Sequence, residues 1–420
     1  MEIKVEACEI RGNINAPSSK SYTQRYVLYS AFSDKKIKLN NISFCDDELI
    51  AIDIARKCNA SIKYDKKNIT IEPDFKCPEN LYFGESGTSY RLSIGLISGK
   101  KCYTTTSGEK NLSLRPVQSL IDSLSLLNVK FNLMETNFYK IDAKNSLNKY
   151  IHIDGSKSSQ FISSMLFYYS FHKNAKFHGD NIVSKNYIDV TVKCLNDFGV
   201  NVNNNNGEFT ISSNDYNEKS VDIEGDYSSI SYFIILSLFT GKTKIYNLYN
   251  KSLQPDKKII NLINNACNAI KIYDNYIEIE KIKSINEIDV DVSEVPDLAP
   301  AISVIGIFSY NGVKIKNYKR LEFKESDRLN GIIDMVSKFG ADVIKNDEFI
   351  FIRKKEIKRP PIIDYNDHRM IMSSIIAGLI SNSNTVYRNI EKINKSYPNF
   401  LNDLKKLGCG IEFTYNYNKN

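Results

Sequence analysis

Cations and short hydrogen-bond donors gather at a few turns of this chain. PSSKSYTQR holds Lys20, Ser21 and Arg25, and GESGTSYR holds Gly84, Gly87, Thr88 and Arg91. GSKSSQ holds Ser156, Ser158, Ser159 and Gln160; SKNYID holds Ser184 and Tyr187; LSLRP holds Arg115. Acids join them later: Asp297 in VPDLAP, then Lys324, Glu325, Asp327 and Arg328 in KESDR, then Asp367, His368 and Arg369 in NDHRM. Taken singly, each has an ordinary explanation. Ser, Thr, Asp and Gly cap helices, and neighbouring opposite charges on a helix surface pair. His368 reads first as a packing or hydrogen-bonding residue. The grouping argues otherwise. A cation at a helix start adds to the positive end of the dipole, which is unfavourable unless an anion sits there. Arginine's fork suits phosphate or carboxylate, and two glycines let backbone N–H groups approach one. The set fits a pair of small, multiply anionic substrates handled by two or three acids. No phosphate loop, dinucleotide fingerprint or metal-carboxylate cage is present, so no cofactor and no metal are expected.

The elements that place these residues recur. Polar turns at Pro17, Gly84, Gly155, Gly225, Pro296 and Asp367 each open an apolar, helix-like stretch, at spacings of 67, 71, 70, 71 and 71 residues. A second series of amphipathic helices ends at Asn59, Asn128, Gly199, Asn268, Gly340 and Gly408, spaced by 69, 71, 69, 72 and 68. Asn or Gly there suits a left-handed helix terminator. Leu120, Leu124 and Leu127, or Ile332, Ile333 and Val336, mark the helical apolar face. Alternating SIKYD, KFNLM and DVIKN read as the strands that follow. One structural unit, strand–helix–strand–helix–strand–strand, is therefore used six times. The class is α/β (α+β): helices on one face of a mixed sheet, three units to a domain with helices packed inward.

Composition bounds the rest. With 420 residues, 42% hydrophobic and 25% charged, the chain reads as an ordinary globular protein, sized for two domains of roughly 200 residues. The net charge of +7 is spread along the chain and forms no nucleic-acid tail. The longest apolar run, near 233–240, falls short of the roughly 18–20 residues of a membrane span. MEIKVEACEIRG has no apolar leader segment, so a cytoplasmic protein is expected. Eight cysteines without a CxxC pair and four scattered histidines suggest reduced thiols and no zinc site.

Ten motifs in order resemble the 5-enolpyruvylshikimate-3-phosphate synthases of the enolpyruvyl transferase family: SSKSYTQR, GESGTSYR, LSLRP, GSKSSQF, SKNYID, EGDYSSISYF, VPDLAP, KESDR, NDHRM and NKSYPNF. The resemblance implies two domains of three βαβαββ units, an inverse α/β barrel-like arrangement. One domain would span 18–225 and the other 1–17 with 226–420, with crossovers near 16–18 and 225–226. It implies transfer of the enolpyruvyl group of phosphoenolpyruvate to the 5-hydroxyl of shikimate 3-phosphate. By motif, shikimate 3-phosphate is held by Lys20, Ser21, Arg25, Ser158, Ser159, Gln160, Ser184, Tyr187, Asp297, Arg320 and Lys324. Phosphoenolpyruvate is held by Lys20, Gly87, Arg115, Gln160, Arg328, Arg369 and Lys395. Asp297 is the implied base, and Glu325 with Lys20 the implied acid. The partners implied are these two small molecules, with no nucleic acid and no membrane; a monomer is expected. Gly87 leaves room for glyphosate, the family's competitor of phosphoenolpyruvate.

Four positions depart from the family's usual pattern: Glu85, Tyr22, Arg320 and Glu322. Two rivals share related units. The enolpyruvyl transferase acting on UDP-N-acetylglucosamine carries a Cys that RPVQSLIDSLSLLN lacks. An RNA-terminal phosphate cyclase would need a nucleotide site and a nucleophilic His.

Overall fold

The computed structural model describes residues 1–213, 215–324 and 326–414, the side chain of Phe323 excepted. Among them are six four-stranded sheets. In the unit spanning 152–213, strand His152–Asp154 pairs parallel with Ala175–Asp180, which pairs antiparallel with Glu208–Ser213, itself antiparallel to Val200–Asn205. Helices Ser159–Tyr169 and Asn186–Asp197 fill the two connections. The other five sheets repeat this order.

All six second-series terminators are left-handed, from Asn268 at φ 50° to Gly408 at φ 101°. Asn and Gly are the residues that reach this region most easily. The period in the sequence is thus a period in backbone conformation.

Three sheets take a strand from a distant part of the chain. Lys219–Asp222 pairs parallel with Ile37–Asn40 and completes the first unit's sheet. Arg11–Asn15 pairs parallel with Lys242–Tyr246 and completes the fourth. Glu2–Glu6 lies antiparallel between Val386–Tyr387 and Gly410–Thr414, completing the sixth.

The chain divides into two compact units, Ser18–Ile223 and Met1–Pro17 with Glu224–Asn420. Glu224 and Gly225, placed by sequence in the 18–225 segment, belong by contact to the other unit. Gly225 N–H donates to Asn247 O at 2.7 Å, and Asp226 N–H to Pro17 O at 2.8 Å. The Glu224 carboxylate accepts from Ser252 at 2.5 Å and Gln254 at 2.6 Å.

Each unit has its own apolar core. First-series helices lie inside it. In one unit Lys20–Ser33 and Ser159–Tyr169 pack on Gly87–Gly99; in the other Tyr227–Thr240, Ala299–Phe308 and His368–Ser381 pack on one another. Small residues permit this approach. A Cβ on Gly95 would lie 2.6 Å from Ser164 Oγ, the hydroxyl that accepts from Gly95 N–H at 3.0 Å and donates to Arg91 O at 2.7 Å. This contact fixes the helix starts that carry Gly87, Arg91 and Gln160.

The expectation of eight reduced thiols is corrected at one pair: Cys77 and Cys102 are joined by a disulfide. Their separation of 25 residues follows no recognisable spacing. Strand pairing brings them together, since Asn80–Tyr82 and Tyr103–Ser107 run side by side and Thr104 Oγ1 donates to Pro78 O at 2.8 Å. Among the described residues no helix is long and apolar enough to cross a membrane.

Candidate active site

In the Ser18–Ile223 unit, the helix starts present the expected cations and donors. Ser19 stands in extended conformation just before the helix Lys20–Ser33, without a side-chain cap hydrogen bond. Lys20 Nζ sits 2.8 Å from Asp47 Oδ2, a carboxylate that the sequence did not single out. Arg25 is buried. Its Nε donates to Thr191 Oγ1 at 2.7 Å, one Nη to Ser21 O at 2.8 Å and the other to Tyr187 O at 3.5 Å. Among the described residues no carboxylate lies within ion-pair distance of it. Burial pushes the Arg25 guanidinium down to about 10, so it is still charged at neutral pH. A buried cation facing only neutral oxygens is costly, and a bound anion would offset that cost.

The second and third units interlock at Gln160. Arg91 Nη1 donates to Gln160 Oε1 at 2.9 Å, and Gln160 Nε2 donates to Thr88 Oγ1 at 2.9 Å. Ser158 caps the same helix, accepting from Gln160 N–H at 3.2 Å. Ser159 is buried beside it. Arg115 lies over Gly87, where a Cβ would stand 2.5 Å from the Arg115 Cζ. Ser184 has φ 50° in the turn before Asn186–Asp197 and accepts from Tyr187 N–H at 3.1 Å. The Tyr187 side chain is half-buried.

Two departures are accommodated in this unit. Tyr22 is buried and stacks on Tyr26 with centroids 6.2 Å apart. Glu85 accepts from Asn111 Nδ2 at 3.5 Å.

The other unit holds a tighter cluster. Asp297 lies in the short turn Pro296–Leu298. Its Oδ1 accepts from Arg328 Nη1 at 2.7 Å and its Oδ2 from Arg369 Nη2 at 3.3 Å. Arg328 has no exposed side-chain surface, whereas Asp297 is 26% exposed. Arg328 Nε also donates to Asp367 Oδ2 at 3.0 Å. Asp367 caps the helix His368–Ser381 through Arg369 N–H at 2.8 Å and accepts from Ser326 Oγ at 2.8 Å. Arg369 Nη1 donates to Ser228 Oγ at 2.6 Å.

KESDR is therefore no surface ion-pair ladder: its arginine points inward to two carboxylates, Asp297 of the same repeat and Asp367 of the next. Asp327 is the helix cap, accepting from Asn330 N–H at 3.1 Å. His368 is buried, with Nδ1 3.7 Å from Asp367 Oδ1. Arg320 donates to the Ser293 carbonyl. Lys324 follows the turn Tyr318–Phe323, and Lys395, buried, ends the turn Ile390–Lys395. Glu325 lies outside the described residues.

Sequence reasoning missed three of the groups that hold these side chains: Asp47 for Lys20, Thr191 for Arg25 and Ser228 for Arg369; the fourth, Asp367, was singled out in NDHRM but not as the partner of Arg328. Ser228 comes from EGDYSSISYF, the one of the ten motifs in the fourth repeat, none of whose residues the resemblance assigns to a substrate. Only its place at the same helix start as the ligand-bearing turns could have signalled it.

A family model described as EPSP synthase (3-phosphoshikimate 1-carboxyvinyltransferase) matches residues 6–404. The chain belongs to the EPSP synthase family. Its EPSP synthase relatives include the 3-phosphoshikimate 1-carboxyvinyltransferase of Picrophilus torridus, 49% identical over 98% of this chain and 100% of that one. The protein of the same name from Thermoplasma volcanium is 42% identical over 97% and 98%. A solved EPSP synthase from Acinetobacter baumannii shares the fold, with TM-score 0.81 at 20% identity over 98% of this chain and 100% of that one. The activity is the EPSP synthase family's enolpyruvyl transfer in the shikimate pathway.

Proposed function

We propose that this chain transfers the enolpyruvyl group of phosphoenolpyruvate to the 5-hydroxyl of shikimate 3-phosphate, with the residues above in defined roles. One observation carries the reading: the Asp297 carboxylate lies between the guanidiniums of Arg328 and Arg369, at 2.7 and 3.3 Å. A carboxylate held beside two cations supports a base acting next to an anionic enol phosphate.

Arg328, Arg369 and Lys395, with Lys20, Gly87, Arg115 and Gln160, hold phosphoenolpyruvate. Lys20, Ser21, Arg25, Ser158, Ser159, Gln160, Ser184, Tyr187, Asp297, Arg320 and Lys324 hold shikimate 3-phosphate. Fixed cations supply the charge stabilisation for both anions.

Asp297 takes the proton from the 5-hydroxyl. Glu325, with Lys20, gives one to the enol methylene, which becomes a methyl group. The central carbon turns cationic, the hydroxyl oxygen bonds to it, and a tetrahedral intermediate forms. Returning a methyl proton to the acid and breaking the carbon–oxygen bond to phosphate gives the enolpyruvyl product and free phosphate. Each proton transfer of this kind contributes on the order of 10²–10⁴-fold. A cytoplasmic, monomeric enzyme without cofactor completes the reading.

The Gly87→Ala enzyme tests the phosphoenolpyruvate side. The new methyl would collide with the Arg115 guanidinium, the far end of a flexible side chain, so that group moves and the fold holds. The expected result is a raised KM for phosphoenolpyruvate, weakened inhibition by glyphosate and an unchanged KM for shikimate 3-phosphate. Equal inhibition of both forms refutes the assignment.

A further inference from the structure

On one face of the third unit's sheet, His152 stands beside His178, and Asp154 beside Asp180, on parallel strands. Every second side chain of a strand returns to the same face, so these four share it. His152 Nδ1 lies 3.2 Å from Asp180 Oδ2, and His178 Nε2 lies 3.4 Å from Asp180 Oδ1. The imidazole centroids are 4.9 Å apart, and the three candidate ligand atoms all lie within 4.8 Å of one another. We propose that His152, His178 and Asp180 bind a divalent transition-metal ion of the zinc class, with water completing the coordination.

The spacing fits the ion. Tetrahedral zinc with nitrogen and oxygen ligands at about 2.0–2.1 Å has ligand–ligand edges of about 3.3–3.4 Å. The two histidine–aspartate contacts, one to each oxygen of Asp180, are close to that length, and the three ligand atoms, one per residue and within 4.8 Å of one another, would draw in around the ion. Two imidazoles and one carboxylate are a donor set suited to zinc, cobalt or nickel rather than to magnesium or calcium.

The surroundings also fit. Gly207 has φ +92°, and a Cβ there would lie 3.2 Å from His178 Nε2, so a side chain would press on the ligand atom itself. Glu208 stands opposite His178 in the antiparallel register, and Asp154 stands beside Asp180. Both add negative charge that favours a cation.

The His152 side chain is 59% exposed and that of His178 27%, which leaves an entry from solvent. The two histidines are 26 residues apart in the chain, a spacing that matches no metal motif; only the strand register brings them together. The ion would take no part in the transfer. It would brace the strand His152–Asp154, which leads into the turn carrying Ser158, Ser159 and Gln160.

The test uses the untagged full-length chain, freed of metal by a chelator and titrated with zinc against a chromophoric chelator. A parallel titration with cobalt reads the visible absorption of the four-coordinate ion. Wild type, His178→Ala, the His152→Ala/His178→Ala double variant and Asp180→Asn are compared, each checked for folding by circular dichroism. Losing a second-shell partner costs about 10–100-fold in metal affinity, so losing a direct ligand should cost at least about tenfold. Expected are saturable binding by wild type, that loss or more in each variant, and transferase activity unchanged throughout. The proposal is overturned if wild type binds neither metal, or if the double variant binds as well as wild type.

Discussion

Asp297→Asn should slow turnover by on the order of 10²–10⁴-fold, the usual contribution of one general base, while both substrates still bind. The change removes the negative charge and the basic oxygen but keeps the shape. Arg328 and Arg369 now face Asp297 Oδ1 and Oδ2. In the proposed site, anionic phosphoenolpyruvate would compete for the same guanidiniums, and its arrival would free carboxylate oxygen for the 5-hydroxyl. Removing the charge removes the competitor, and phosphoenolpyruvate should bind the variant as tightly as wild type or more tightly. Calorimetric titration reads that binding, and single-turnover kinetics read the chemical step. A merely structural Asp297 would weaken binding and stability together. Near-normal turnover would remove it as the base.

Arg328→Met should produce the largest loss of stability among the proposed site substitutions. The guanidinium is fully buried and bridges Asp297 at 2.7 Å and Asp367 at 3.0 Å. Removing one partner of a buried ion pair typically costs about 3–5 kcal/mol, because the remaining charge stays desolvated. Asp367 is the group left behind, with 2% side-chain exposure.

Arg328→Lys keeps the charge but replaces a planar fork with one point charge that does not span both carboxylates. It should fold better than the Met variant. Losing a charged hydrogen bond of about 1.5–3 kcal/mol would still lower kcat/KM for phosphoenolpyruvate by roughly 10–150-fold. Urea midpoints and steady-state kinetics measure the two effects. A wild-type midpoint for Arg328→Met would mean that the bridge does not hold this unit together.

Much of this organisation was legible in the chain. The six terminators from Asn59 to Gly408 are all left-handed, because only a residue suited to that conformation ends a helix in that way. Strands such as Ser61–Asp65 and Asp342–Lys345 follow where alternation placed them. The three borrowed strands were not legible, since alternation in Glu2–Glu6 or Lys219–Asp222 is the same whichever neighbour the strand pairs with.

The site shows the same division. Cations at helix starts conflict with the dipole and stand out locally. Their anchors do not: Asp47 and Ser228 look like ordinary surface or capping residues until packing brings each against its lysine or arginine. The Cys77–Cys102 disulfide and the His152–His178 pair were hidden for the same reason, being products of strand register.

The most direct test of the account is phosphate release from phosphoenolpyruvate by the purified enzyme, measured once with shikimate 3-phosphate and once with UDP-N-acetylglucosamine as acceptor. Release with shikimate 3-phosphate and none with the sugar nucleotide is the predicted result. Release with the sugar nucleotide alone would contradict it.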